Sequence, residues 1–107
     1  MIKYFAVGLV TVSSAHNVTA SDIVVKVTFI VETPYSAGTT IDVGYAGSTS
    51  ALLSSSTNDV IPGTAGSYDS SIPVVWANTD QPVVVTIGGS PSVGAGHMVV
   101  EHATPQN

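Results

Sequence analysis

The chain has 107 residues, no cysteine, and two basic against seven acidic residues, for a formal charge of −5. That length supports one core burying roughly 60 to 70 per cent of the unfolded surface, and the absence of cysteine excludes both a disulfide framework and a thiolate metal site. The acidic balance is the opposite of what a phosphate backbone attracts, so nucleic acid is not an expected partner.

Taken in chain order, the apolar segments are rich in Val, Ile, Thr and aromatics and are bounded by Gly, Pro, Asn, Asp or Ser, the pattern of strands between turns. The first predicted strand runs from Ile2 to Ser13. Lys3, the apolar run Tyr4 to Val12 and Ser13-Ser14-Ala15 have the outline of a secretory signal, but β-compatible residues continue beyond the small-residue site, and a strand is the reading adopted. No apolar stretch reaches the ~18 residues that a membrane span needs, so no membrane partner is expected.

Asn17 to Asp22 form a polar turn before the strongest strand, Ile23 to Thr33, in which alternation places Val25, Val27, Phe29 and Val31 on the core face. Pro34 ends it, and Ser36-Ala37-Gly38 turns the chain into a strand from Thr39 to Tyr45. Ala51 to Ser55 suits either a brief strand or a helical turn, Asn58 to Ile61 reads as a short strand, and Pro62-Gly63 marks a turn. Ser67 to Trp76, Val83 to Ile87 and Ala95 to His102 complete the set, with Val83, Val85 and Ile87 expected in the core. Residues 103–107 read as a loose tail.

Seven or eight antiparallel strands at this spacing predict an all-β domain spanning residues 1–107, a single β-sandwich of jelly-roll-like type. Charged residues are 8 per cent of the chain while Ser and Thr number 26, and mean hydropathy is +0.41. The surface is expected to be hydroxyl-rich and weakly charged, and the positive mean hydropathy implies that some apolar area is covered by a partner, so a homo-oligomer is the economical expectation.

Chemistry has few places to reside. His97 and His102 differ by five positions, which sets them on opposite faces of a strand, so they cannot readily share a metal; with His16 they are read as surface or interface histidines. Glu101 shares the face of His97. Asp22, Asp42, Asp59, Asp69 and Asp80 each stand near a turn or strand end, where Asp caps backbone amides. Ser54-Ser55-Ser56 and Ser70-Ser71 have no nucleophile-elbow context, and Gly88-Gly89-Ser90 and Gly94-Ala95-Gly96 precede strand rather than helix, so they are turns and not phosphate loops. Asn17-Val18-Thr19 is a sequon by accident of composition. No catalytic, metal or cofactor residue is assigned, and an enzyme is not expected. Tyr35, Tyr45, Tyr68 and Trp76 could form a sugar-binding platform if exposed, and pack in a core or subunit interface if not.

Two stretches resemble small jelly-roll-like β-sandwich domains in virion proteins of tailed bacteriophages. The first is Ile23 to Gly44, with its alternating strand, the Ala37-Gly38-Thr39 turn and the Val43-Gly44 strand; the second is Pro82 to Gly96 with Met98-Val99-Val100-Glu101, a Gly-rich turn joining two apolar strands. The resemblance implies a head decoration, cement or fibre protein, commonly trimeric, with the major capsid protein or another virion protein as partner. It carries no catalytic residues. The bare domain, without a stalk or anchoring region, favours decoration or cement over a fibre, with a receptor- or carbohydrate-binding fibre module as the alternative. The expected location is the virion capsid surface, after assembly in the bacterial host cytoplasm. Met1 to Tyr4 and Thr104 to Asn107 are expected to add contacts as unanchored termini.

Overall fold

In a computed structural model of the chain, residues 2–14, 18, 22–70, 74–76 and 80–103 are described. His16, most of the sequon, Met1 and the tail beyond Ala103 lie outside them. The described residues form nine strands: β1 (Ile2–Val7), β2 (Val12–Ser13), β3 (Ile23–Thr33), β4 (Thr40–Tyr45), β5 (Ser48–Leu53), β6 (Gly66–Ser70), β7 (Val74–Val75), β8 (Val84–Gly88) and β9 (Ala95–Ala103). One sheet has the order β1-β9-β3-β6, with β7 also pairing β3; the other has the order β2-β8-β4-β5. Every pairing is antiparallel, and the result is an all-β sandwich of two sheets.

The core lies between the sheets. Val27, Phe29, Met98 and Val100 enter it from the β3–β9 pair, and Ile41, Val43 and Val85 from the β4–β8 pair, all 0 % exposed. Each set follows the period-two alternation of its strand. Val83, just before β8, is equally buried, whereas Ile87 is partly buried and packs against the rim of the cluster.

Four expectations need correction. Val25 is not in the core: it is 44 % exposed, and Val24 is buried in its place. The β3–β9 register shifts between Val24 and Lys26, and a bulge of one residue there reverses the parity of everything upstream, so that Val24 and Val27 both point inward. The single strand foreseen from Ile2 to Ser13 is two strands in different sheets, β1 on β9 and β2 on β8, with the chain crossing the sandwich edge between them. Asn58 to Ile61 is not a strand, although Val60 is buried; its place is fixed by the preceding turn of 3₁₀ helix (Ser55–Thr57), capped by Ser54 and closed by Asn58 in the left-handed region at φ 55°. Residues 2–4 are not an unanchored terminus, because Ile2, Lys3 and Tyr4 pair with Glu101, Val100 and Val99.

Smaller differences have local causes. The stretch Ser67 to Trp76 divides into β6 and β7, which pair with successive parts of β3. The ambiguous segment from Ala51 to Ser55 is both things in turn, ending β5 and then starting the 3₁₀ turn. Ala103 belongs to β9 rather than to the tail.

Candidate interaction surface

The titratable groups are placed where the sandwich uses them structurally. His102, expected at the surface or at an interface, is instead buried at 3 % side-chain exposure, where its Nδ1 lies 3.0 Å from Oδ2 of Asp22, itself 1 % exposed. The carbonyl of Asp22 also accepts the amide N–H of Trp76 at 2.8 Å, which ties the start of β3 to the end of β7. His97 faces the other way, as the five-residue spacing requires; its Nδ1 pairs with Oε1 of Glu32 on β3, not with Glu101.

Of the remaining Asp residues, Asp42 and Asp59 cap backbone amides as expected, whereas Asp69 lies within β6 and forms an ion pair instead. Asp42 accepts from the Ser55 amide at 2.7 Å, the Ser55 hydroxyl at 3.1 Å and the Ser50 hydroxyl at 3.1 Å. Asp59 accepts from the Ser54 amide and the Thr57 hydroxyl, each at 2.9 Å, closing the 3₁₀ turn. Asp69 meets Lys26 at 3.5 Å in an exposed ion pair, and Asp80 stands exposed beside the bridge residue Gln81. The Ser54-Ser55-Ser56 cluster is consumed in this turn, and Ser71 lies outside the described residues. Among the described residues no group of three or more His, Cys, Asp or Glu could hold a metal ion, and no helix is long and apolar enough to cross a membrane.

The aromatic residues do not assemble into a platform. Tyr35 and Trp76 are buried, at 3 % and 2 % exposure. Tyr45 meets Trp76 edge-on with ring centroids 4.9 Å apart, and the Tyr68 hydroxyl donates to the Thr64 carbonyl at 2.7 Å. Tyr35 closes one end of the sandwich: its amide donates to Pro62, and its hydroxyl to Gly8 at 3.0 Å and to Val7 at 3.3 Å. Burial pushes the Tyr35 pKa above its ordinary value. Gly94, at φ 145°, is required beside it, since a Cβ there would run into the Tyr35 ring. The glycine-rich segments thus serve the connection between β8 and β9, and β9 rather than a helix follows them.

What remains open is the outer face of the β1-β9-β3-β6 sheet. Cross-strand register sets Ile2, Glu101 and Lys26 in one row, Tyr4, Val99, Thr28 and Asp69 in the next, and Ala6, His97, Ile30 and Ser67 in a third. Tyr4 is 64 % and Ile2 68 % exposed. Tyr4 stacks on the imidazole of His97, with centroids 4.8 Å apart and planes at 12°, and His97 in turn reaches Glu32. A diagonal of aromatic, imidazole and carboxylate therefore crosses three strands on an exposed and partly apolar face. Sequence reasoning named Met1 to Tyr4 as a contact segment, but as an unanchored terminus and not as part of a sheet face. A partial signal was present in β1, where Ile2, Tyr4 and Ala6 line one side and Phe5 and Val7 the other, apolar on both sides except at Lys3.

A second apolar exposure lies at the crossing between β1 and β2. Leu9 and Val10, the latter 73 % exposed, line an open groove with Ile87 and the Gly88 to Pro91 turn.

No protein-family model matches the chain, and no curated protein matches it. Two solved structures share its fold. A chain of the cyanophage Pam1 capsid asymmetric unit superposes with a TM-score of 0.73 at 20 % identity, covering 98 % of this chain and 84 % of that one. A chain of the acidic stable capsid structure of the Helicobacter pylori bacteriophage KHP30 superposes with a TM-score of 0.75 at 16 % identity, covering 99 % and 88 %. At these identities the likeness is one of fold, and it extends over essentially the whole chain: the domain is a small β-sandwich of the kind present in phage capsid structures.

Proposed function

We propose that this chain is a non-catalytic structural protein of a bacteriophage virion, a decoration or cement protein that binds the outside of the head and reinforces contacts between shell subunits. The observation that carries the reading is the end-to-end correspondence of the sandwich with chains of two phage capsid structures, which leaves little of either neighbour unmatched. A hydroxyl-rich surface with two basic residues suits binding by shape, main-chain groups and apolar contact. The histidines and most carboxylates of the described residues are engaged in internal contacts, as a structural part requires.

On this reading the chain works as a homotrimer on the major capsid protein, assembled in the host cytoplasm and located on the capsid surface. Closed symmetry would cover part of the surplus apolar area. The fibre-tip alternative, a carbohydrate- or receptor-binding module, draws less support, because Tyr35 and Trp76 are buried rather than arranged around a groove.

Co-sedimentation with phage heads lacking the protein tests the proposal. Binding that persists to about 1 M salt, where the screening length is roughly 3 Å, is the expected result. Absence of head binding by the folded protein, with retention on a glycan array, would transfer the assignment to the alternative.

A further inference from the structure

We infer that the outer face of the β1-β9-β3-β6 sheet, anchored by Tyr4, is the surface by which the protein docks, and that it receives a different protein whose contact has an apolar part and a basic rim. The inference rests on the virion reading above and names the face and partner chemistry that reading leaves open.

The apolar part of the face runs inward from its edge strand: Ile2 and Tyr4 stand exposed on β1, Val99 lies beside Tyr4 on β9, and Ile30 follows on β3 in the next row. Tyr4 has the character of an interface anchor, a large amphipathic ring held in one orientation by its stack on His97. The rim is acidic. Glu32, Glu101 and Asp69 project from the same face; Asp69 pairs with Lys26 and Glu32 with His97, so the formal excess of acid is carried most openly by Glu101.

A second copy is a poor occupant, since two such faces would oppose acids to acids and the chain offers two lysines in all. The face is also too small for a stable dimer by itself. Four strands about 4.8 Å apart, paired over five to nine residues at about 3.3 Å per residue, present roughly 300 to 600 Å² in projection, whereas each side of a standard interface contributes about 800 Å². Repeated docking on an ordered array of partner subunits, with several copies held together, overcomes that deficit. The two parts of the face then divide the labour: the apolar part holds the complex together, and the acidic rim speeds and orients encounter with a basic surface.

The test is association of the purified protein with immobilised heads from a phage strain lacking it, by biosensor, for the native chain, the double variant Ile2→Ser/Tyr4→Ser, the double variant Glu32→Lys/Glu101→Lys, and Ile61→Ser as a distant exposed apolar control. Thermal melts establish that each is folded. The serine variant is expected to dissociate about tenfold faster or more, the lysine variant to associate severalfold more slowly at low salt with its dependence on salt reversed, and Ile61→Ser to behave as native. Native binding with an unchanged serine variant would overturn the docking face while leaving the virion role intact. Faster association of the lysine variant would overturn the basic rim, and loss of the native oligomer by light scattering in the serine variant would assign the face to self-association instead. No binding by the native protein would count against the virion reading itself, and the docking face would fall with it. If the serine variant fails to fold, Tyr4→Lys alone carries the same expectation.

Discussion

The hydroxyl of Tyr35 donates to the carbonyl of Gly8 at 3.0 Å, joining two residues 27 positions apart at the point where the chain leaves one sheet for the other. With the second contact to Val7 and the ring packed against Gly94, this one side chain fixes the end of β1, the turn after β3 and the approach to β9.

Replacing it with Phe keeps the ring and removes the donor. Tyr35→Phe is expected to lower the unfolding free energy by about 1 kcal/mol, the net value of a hydrogen bond, as measured by urea denaturation at pH 7.

The same hydroxyl sets a pH dependence. Its folded-state pKa is raised above the ordinary value of 10.0 by burial. A raised pKa means that the folded protein holds the proton more tightly, so this contribution is fully present below about pH 10 and is lost as pH rises through the folded value. Stability should decline above about pH 10 in the native chain, and less steeply in Tyr35→Phe. Equal slopes in the two proteins would show that Tyr35 is not the group responsible.

Phe29 is fully buried at the centre of β3. Phe29→Ala should cost about 3 to 5 kcal/mol, through lost burial and the cavity left behind.

The bulge in β3 makes a sharper prediction. Val24→Ser places a hydroxyl in the core and should cost about 2 kcal/mol or more, whereas Val25→Ser, at an exposed position, should change stability by less than about 0.5 kcal/mol. Strict alternation through the strand would give the reverse order, so paired denaturation curves distinguish the two registers.

Asp22 and His102 form a buried pair whose partners depend on one another. Asp22→Ala removes the carboxylate facing His102 Nδ1 and should cost at least about 2 kcal/mol. The double variant Asp22→Leu/His102→Leu should recover part of that loss, because no polar group of the pair then remains buried. A double variant no more stable than Asp22→Ala would show that packing rather than the pair dominates.

The legible part of the fold was the alternation of long strands. From Val27 to Val31 on β3, and at Val83 and Val85 beside and within β8, period-two patterning identified the inward residues, with Ile87 only partly buried. It failed where the backbone departs from that period or where one apolar run serves two sheets. The bulge at Val25 inserts a residue without any change of composition, and the Ile2 to Ser13 run carries apolar residues continuously across the sandwich edge. The segment around Val60 was misread because burial of a single valine in a loop looks, in sequence, like the start of a strand.

The candidate surface was less legible still. Tyr4, Glu32 and His97 are separated by 28 and 65 positions, and they meet through the β1–β9–β3 register, which is set by pairing across the sheet rather than by local sequence. The pairing of His102 with Asp22 has the same origin. Local spacing offered His97 only Glu101 on the same face, about 13 Å away along the strand, and gave no sign of Glu32.

Purified phage particles from the encoding strain, imaged by electron cryomicroscopy with and without the gene for this chain, test the central claim most directly. The account predicts density for the two-sheet sandwich on the outer surface of the head, at positions repeated with the shell symmetry, seated through the Tyr4 face and absent from the deletion particles. Heads that are identical with and without the gene, or sandwich density confined to the tail fibres, would contradict it.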